Sequence, residues 1–159
     1  MNAPLRVALV GYGFVGKVFH APLIQATPGL VLHTVVSRDA GKVHADWPDV
    51  QVVGDPDAAF ADPAVDVVVI ASPNDSHAPL AMAALAQGKH GVVDKPCTVT
   101  LTEARDVVDA ARRAGRLVSV FQNRRWDGDF LTLRRLVEDG ALGEVVELHS
   151  HFDRFRPQV

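Results

Sequence analysis

The chain has 159 residues, enough for a domain with a real core. Hydrophobic residues make up 48% and charged residues 22%, ordinary values for a globular protein, which argue against a disordered or fibrous chain. A net charge of -3 supplies no basic field for nucleic acid or an anionic membrane, and no apolar run approaches the roughly 18 residues of a membrane span.

The first residues, MNAPLRVALVGYG, lack a charged region followed by a long apolar core, so no signal peptide is expected. A single cysteine, Cys97, cannot form an internal disulfide and fits a reducing cytoplasm. His149 and His151 share one face of an expected strand, but no third ligand stands at a recognisable spacing, so no metal site is expected.

In chain order, short β-branched runs alternate with helical stretches. Strands are expected at Leu5–Val10, Val31–Ser37, Val50–Val53, Val65–Ala71, Gly91–Asp94 and Leu117–Phe121. VDVVVIA at 65–71 is apolar throughout rather than alternating, the mark of a strand covered on both faces by helices. Helices are expected at Val15–Gln25, Ala40–Ala45, Ala78–Gln87 and Thr102–Ala114. Gly88 and Gly115 stand where C-capping glycines belong, and Thr100 or Thr102 can cap the last of these helices. The alternation predicts an α/β fold, a Rossmann-like doubly wound parallel sheet with right-handed crossovers, over residues 1–122. Beyond Phe121 a helix is expected at Phe130–Glu138. A half-exposed strand follows at Glu144–Phe152, so the character of the chain changes over 123–159.

The first apolar run ends in a glycine turn, Gly11, Tyr12, Gly13, Phe14, Val15 and Gly16. In a dinucleotide-binding turn the first glycine lets the chain turn tightly. The second lets backbone approach the pyrophosphate, and the third lets helix and strand pack closely. The motif follows an expected strand and opens an expected helix, the context it requires. At the end of the second strand, NAD-selective chains usually place an acidic residue on the ribose 2′-hydroxyl. This chain has Ser37-Arg38 there, a guanidinium and a hydroxyl suited to the 2′-phosphate of NADP, although Asp39 keeps NAD as the weaker alternative.

Three further segments, VIASPNDSHAPLAMAALAQGKHGVVDKP (69–96), SVFQNRRWDGDFLTL (119–133) and HFDRFRP (151–157), complete a pattern. Together with the glycine turn they resemble the Gfo/Idh/MocA family of oxidoreductases, nearest the branch of NADP-dependent scyllo-inositol dehydrogenases. The resemblance implies hydride transfer between a secondary alcohol of a sugar or cyclitol and a nicotinamide, with this chain as the cofactor-binding domain. It implies that Ser72, Pro73, Asn74, His77 and Asp94 border the cofactor. Lys95, of Asp94-Lys95-Pro96, is implied as the catalytic residue that also contacts cofactor and substrate, and Asn123 and Arg124 as substrate contacts. The family's corresponding triplet begins with Glu, so Asp94 shortens that carboxylate by one methylene. The resemblance implies that 123–159 is the linker, helix and first strand of the family's α+β substrate domain, truncated before its acid/base pair, and that a longer form is a homo-oligomer. The alternatives are a non-catalytic dinucleotide-binding module and an NAD-dependent glycosidase relative.

Overall fold

The computed structural model describes residues 3–153 together with 155 and 157. Arg154 and Arg156 of the HFDRFRP segment, and residues 1, 2, 158 and 159 of the expected domains, lie outside the described residues. The chain divides into two units, Met1–Gln122 and Asn123–Val159.

The first unit alternates strand and helix. It runs β1 (Leu5–Val10), a π-helical turn (Gly16–His20) leading straight into α1 (Ala21–Ala26), β2 (Leu30–Val36), α2 (Ala40–His44), β3 (Gln51–Val53) and α3 (Pro56–Ala61). It continues with β4 (Val67–Ile70), α4 (His77–Ala86), β5 (His90–Val93), α5 (Leu101–Ala114) and β6 (Val118–Val120). The six strands are ordered β3-β2-β1-β4-β5-β6 and every pair is parallel. This is the doubly wound Rossmann arrangement, and the strand order reverses between β1 and β4.

The period-2 geometry of the strands divides their side chains between two cores. Val7 and Leu9 of β1 pack with Ile24, Leu32, Val35 and Val43 under α1 and α2. Ala8 and Val10 pack on the other face with Phe60, Val68, Ile70, Leu85, Val93 and Val107 under α3, α4 and α5. Both faces are covered, which is why β4 is apolar at every position.

In the π-helical turn the Ala21 N–H bonds the Gly16 carbonyl five residues back, and Pro22, which has no N–H, gives none to the carbonyl of Val18. Helix α5 opens with a full capping box. Thr100 Oγ1 accepts from the Glu103 N–H at 3.2 Å, and Glu103 Oε2 accepts from the Thr100 N–H at 2.9 Å. Gly88 and Gly115 close α4 and α5 at φ values of +71° and +61°.

Two expectations need correction. The helix α3 was not foreseen, although Asp55-Pro56 carries the signal: the Asp55 carboxylate accepts from the Asp57 N–H at 3.0 Å and Pro56 takes the first helical position. In the second unit, a 3₁₀ turn (Asn123–Trp126) leads into α6 (Gly128–Glu138), but Glu144–Phe152 forms no strand. A strand exists through ladder hydrogen bonds, and among the described residues nothing pairs with this segment.

Candidate functional site

In a parallel sheet every strand ends at the same edge. The glycine turn follows β1, Ser37-Arg38 follows β2, Ser72–Asn74 follows β4 and Asp94-Lys95 follows β5. The topology therefore brings all these segments to the carboxyl edge of one sheet, where open α/β folds bind ligands beside the strand-order reversal.

The three glycines differ in what forces them. Gly11 has φ +96°, and a Cβ there would stand 2.6 Å from the Ala71 carbonyl oxygen at the end of β4. A Cβ on Gly16 would collide with the carbonyl oxygen of Gly11. The space a Cβ would take on Gly13 is open, with no atom within 4 Å. Two glycines are thus required by the protein's own packing, while the middle one leaves bare backbone facing free space. That is the cradle a pyrophosphate needs, so the residues present fit a dinucleotide.

The other turn residues divide. The Phe14 side chain is 73% exposed and meets Phe19 edge-on at 6.1 Å between ring centroids. Val15 is half-buried. Tyr12 is buried, and its hydroxyl donates to Asp46 Oδ2 at 2.9 Å, so only its backbone belongs to the turn's open side. Lys17 Nζ stands 2.7 Å from the same carboxylate. Hydrogen bonds from Lys17 and Tyr12 hold the Asp46 carboxyl below its usual range. Burial, and then Asp46, push the Tyr12 phenol up to about 12. Sequence reasoning missed Asp46 and Lys17; their signal is spatial, since Asp46 lies 29 residues from Lys17.

At the end of β2, Arg38 is exposed and has no hydrogen-bond or ion-pair partner among the described residues. Asp39 is the N-cap of α2, its Oδ1 accepting from the Lys42 N–H at 2.9 Å. Its own N–H donates to Ser37 Oγ at 3.2 Å. The carboxylate that kept NAD in contention is thus engaged by its own helix.

Beyond β4 and β5, Ser72 is half-buried, while Pro73, Asn74, Lys95 and Pro96 are exposed. The Lys95 ammonium has no ion-pair partner among the described residues, and Asp94 Oδ1 accepts from the Lys95 N–H at 2.8 Å. His77 is 1% exposed, with Nδ1 2.8 Å from the Pro96 carbonyl oxygen and Nε2 2.9 Å from that of Ser72, so both ring nitrogens face the protein's own backbone. His20, also missed, is buried with Nε2 unpartnered among the described residues and its ring 4.4 Å from that of Phe121. Burial lowers its pKa, and the charge of Asp94 opposes that shift.

Within the second unit, Asn123 is half-buried. Arg124 Nη1 lies 2.6 Å from Asp127 Oδ2, and its guanidinium stands 4.9 Å from the centroid of the Phe152 ring. The Asp127 hydrogen bond raises the Arg124 pKa. His149 pairs with Glu147 at 2.7 Å and its ring stacks with that of His151. Among the described residues no group of three His, Cys, Asp or Glu side chains is placed to hold a metal ion. No helix among them is long and apolar enough to cross a membrane.

The model of the oxidoreductase family with an NAD-binding Rossmann fold, Gfo/Idh/MocA, matches residues 5–122. The uncharacterized oxidoreductase YdgJ of Escherichia coli K12 is 58% identical over 159 residues, covering 100% of this chain and 46% of its own length. The scyllo-inositol 2-dehydrogenase (NADP(+)) IolW of Bacillus subtilis is 36% identical, covering 98% of this chain and 43% of its own. A solved structure from Yersinia pestis superimposes with a TM-score of 0.97 at 58% identity, covering 100% of this chain and 46% of that one. The chain thus spans less than half the length of these relatives.

Proposed function

The chain belongs to the Gfo/Idh/MocA family of oxidoreductases with an NAD-binding Rossmann fold, and from that premise we propose that it is the cofactor domain of an NADP-dependent dehydrogenase. Its substrate is a secondary alcohol of a sugar or cyclitol. The observation that carries the cofactor reading is the exposed Arg38, with no hydrogen-bond or ion-pair partner among the described residues, beside an Asp39 whose Oδ1 caps α2. IolW, 36% identical, is named for an NADP(+)-linked activity on scyllo-inositol, and a Rhodococcus jostii relative at 32% is named an inositol 2-dehydrogenase.

The residues take these roles. Gly13 and the first N–H groups of the helix after it receive the pyrophosphate. Arg38 receives the ribose 2′-phosphate through charge-assisted hydrogen bonds, joined by the Ser37 hydroxyl on releasing the Asp39 carbonyl to which it donates at 3.2 Å. Ser72, Pro73, Asn74 and Asp94 border the nicotinamide half. The bound cofactor supplies a hydride acceptor or donor. Lys95 holds the reacting hydroxyl, and its ammonium stabilises the negative charge that develops on that oxygen. Asn123 and Arg124 remain proposed substrate contacts; Arg124 would exchange Asp127 for substrate. The longer protein is proposed to act as a homo-oligomer.

The test is a fluorescence titration with NADPH and NADH, before and after Arg38→Ala. NADPH is expected to bind more tightly than NADH. The substitution should weaken NADPH by about tenfold or more, since a hydrogen bond to a charged group is worth about 1.5–3 kcal/mol, and leave NADH nearly unchanged. Equal weakening of both would refute the 2′-phosphate role.

A further inference from the structure

We propose that His77 is a positioning residue: its ring ties the loop after β4 to the Lys95-Pro96 turn after β5 and so shapes the nicotinamide end of the site without touching the dinucleotide. The inference rests on the cofactor reading above and assigns His77 a role different from the one the family resemblance implied.

The two loops have little else to hold them together. The strands β4 and β5 pair from Val67 with His90 to Ile70 with Val93, and the Asp94 N–H gives a last bond of 2.9 Å to the Ile70 carbonyl. Past that point the hydrogen bonds that join the two loops, among the described residues, run through the His77 ring. Nδ1 meets the Pro96 carbonyl at 2.8 Å and Nε2 meets the Ser72 carbonyl at 2.9 Å. Pro96 directly follows Lys95, and Ser72 directly precedes Pro73 and Asn74. The ring is thus the buried link between two loops whose outer residues, Asn74 and Lys95, are exposed toward solvent.

The chemistry suits a fixed point. Both partners are carbonyl oxygens, which only accept, so a neutral imidazole donates to one of them and only a ring carrying both N–H groups bonds both. At 1% exposure the ring itself is shielded from water. The loop it holds is stiffened from within: the Ser72 and Ser76 hydroxyls lie 2.6 Å apart, and Ser76 Oγ donates to the Pro73 carbonyl at 2.6 Å. Both carbonyls belong to backbone, so removing the ring frees the two loops to move apart while β1, β2 and the glycine turn keep their packing.

That asymmetry defines the experiment. The unaltered chain, His77→Phe and His77→Gln are each titrated with NADPH and with adenosine 2′,5′-bisphosphate, which carries the adenosine end alone. His77→Phe should weaken NADPH roughly tenfold and leave the bisphosphate within about twofold. His77→Gln, which keeps a donor, should recover part of the loss. Equal weakening of both ligands would assign the ring to the fold at large, and unchanged NADPH binding would leave it no role at the site; either result overturns the proposal. If far-UV circular dichroism shows the Phe variant unfolded, the Gln variant is judged by the same two ligands. In the unaltered chain, a long-range ¹H–¹⁵N spectrum should show a His77 ring proton protected from exchange, and fast exchange would overturn the clamp. Failure of the unaltered chain to bind either ligand overturns the cofactor reading itself, and the inference with it, before any variant is compared.

Discussion

Replacing Gly11 and Gly13 singly by alanine separates the glycine the fold needs from the glycine the ligand needs. At Gly11 the new Cβ would lie 2.6 Å from the Ala71 oxygen, 3.0 Å from its carbonyl carbon and 3.2 Å from the Ser72 nitrogen, all backbone atoms that cannot rotate away. A left-handed φ costs an L-residue about 1–2 kcal/mol, and forcing the backbone apart adds about 1–3 kcal/mol. The lower entropy of the unfolded alanine chain returns about 0.4–1 kcal/mol. The net is a loss of about 3 kcal/mol, a fall in Tm of roughly 6–12 °C at this chain length. At Gly13 nothing beyond its chain neighbours lies within 4 Å of the new methyl group, so Gly13→Ala should not destabilise the fold and should gain the same entropy term of about 0.4–1 kcal/mol. The methyl would instead occupy the space of the pyrophosphate, and NADPH affinity should fall about tenfold or more. Thermal and urea unfolding followed by circular dichroism, beside NADPH titration, read both effects. An unchanged Tm for Gly11→Ala, or a Gly13→Ala variant as unstable as Gly11→Ala, would refute the reasoning.

Three other predictions concern separate features. In a longer form that turns substrate over, Lys95→Ala should abolish turnover and leave NADPH affinity nearly unchanged; loss of NADPH binding would contradict the catalytic role. Tyr12 is the one tyrosine of the sequence, so the tyrosinate absorbance reports it alone; its midpoint should lie at about 12, and Asp46→Asn should bring it down. Because the folded value is raised, this phenol's contribution to stability is complete below about pH 10 and is lost as pH rises toward 12; a midpoint of about 10 in the folded chain would contradict the geometry. Thr100→Ala removes the acceptor of the Glu103 N–H and should cost about 1 kcal/mol in urea unfolding, with cofactor affinity unaltered.

The sequence by itself determined the alternation of elements, because that information is local. Apolar runs such as Val67–Ile70 declare strands buried on both faces, and Gly88 and Gly115 mark helix ends. The helix α3 also has a local signal, an Asp55 N-cap followed by Pro56 at the first helical position. Glu144–Phe152 shows the opposite case: its residue pattern suits a strand, but a strand needs a partner and the pattern contains none.

At the site, residue type and spacing were enough to nominate Gly11, Gly13, Gly16 and Arg38, since the chemistry of phosphate recognition restricts which side chains serve, while Lys95 was nominated by the family resemblance. What each nominee does depended on atoms far away in sequence. The Gly11 requirement comes from Ala71, and the engagement of Tyr12 comes from Asp46. The contact of a His77 ring nitrogen comes from the Pro96 carbonyl, 19 residues on. Chain-local rules predict backbone conformation; only the tertiary structure decides which donor meets which acceptor, because a hydrogen bond depends on separation in space and not along the chain.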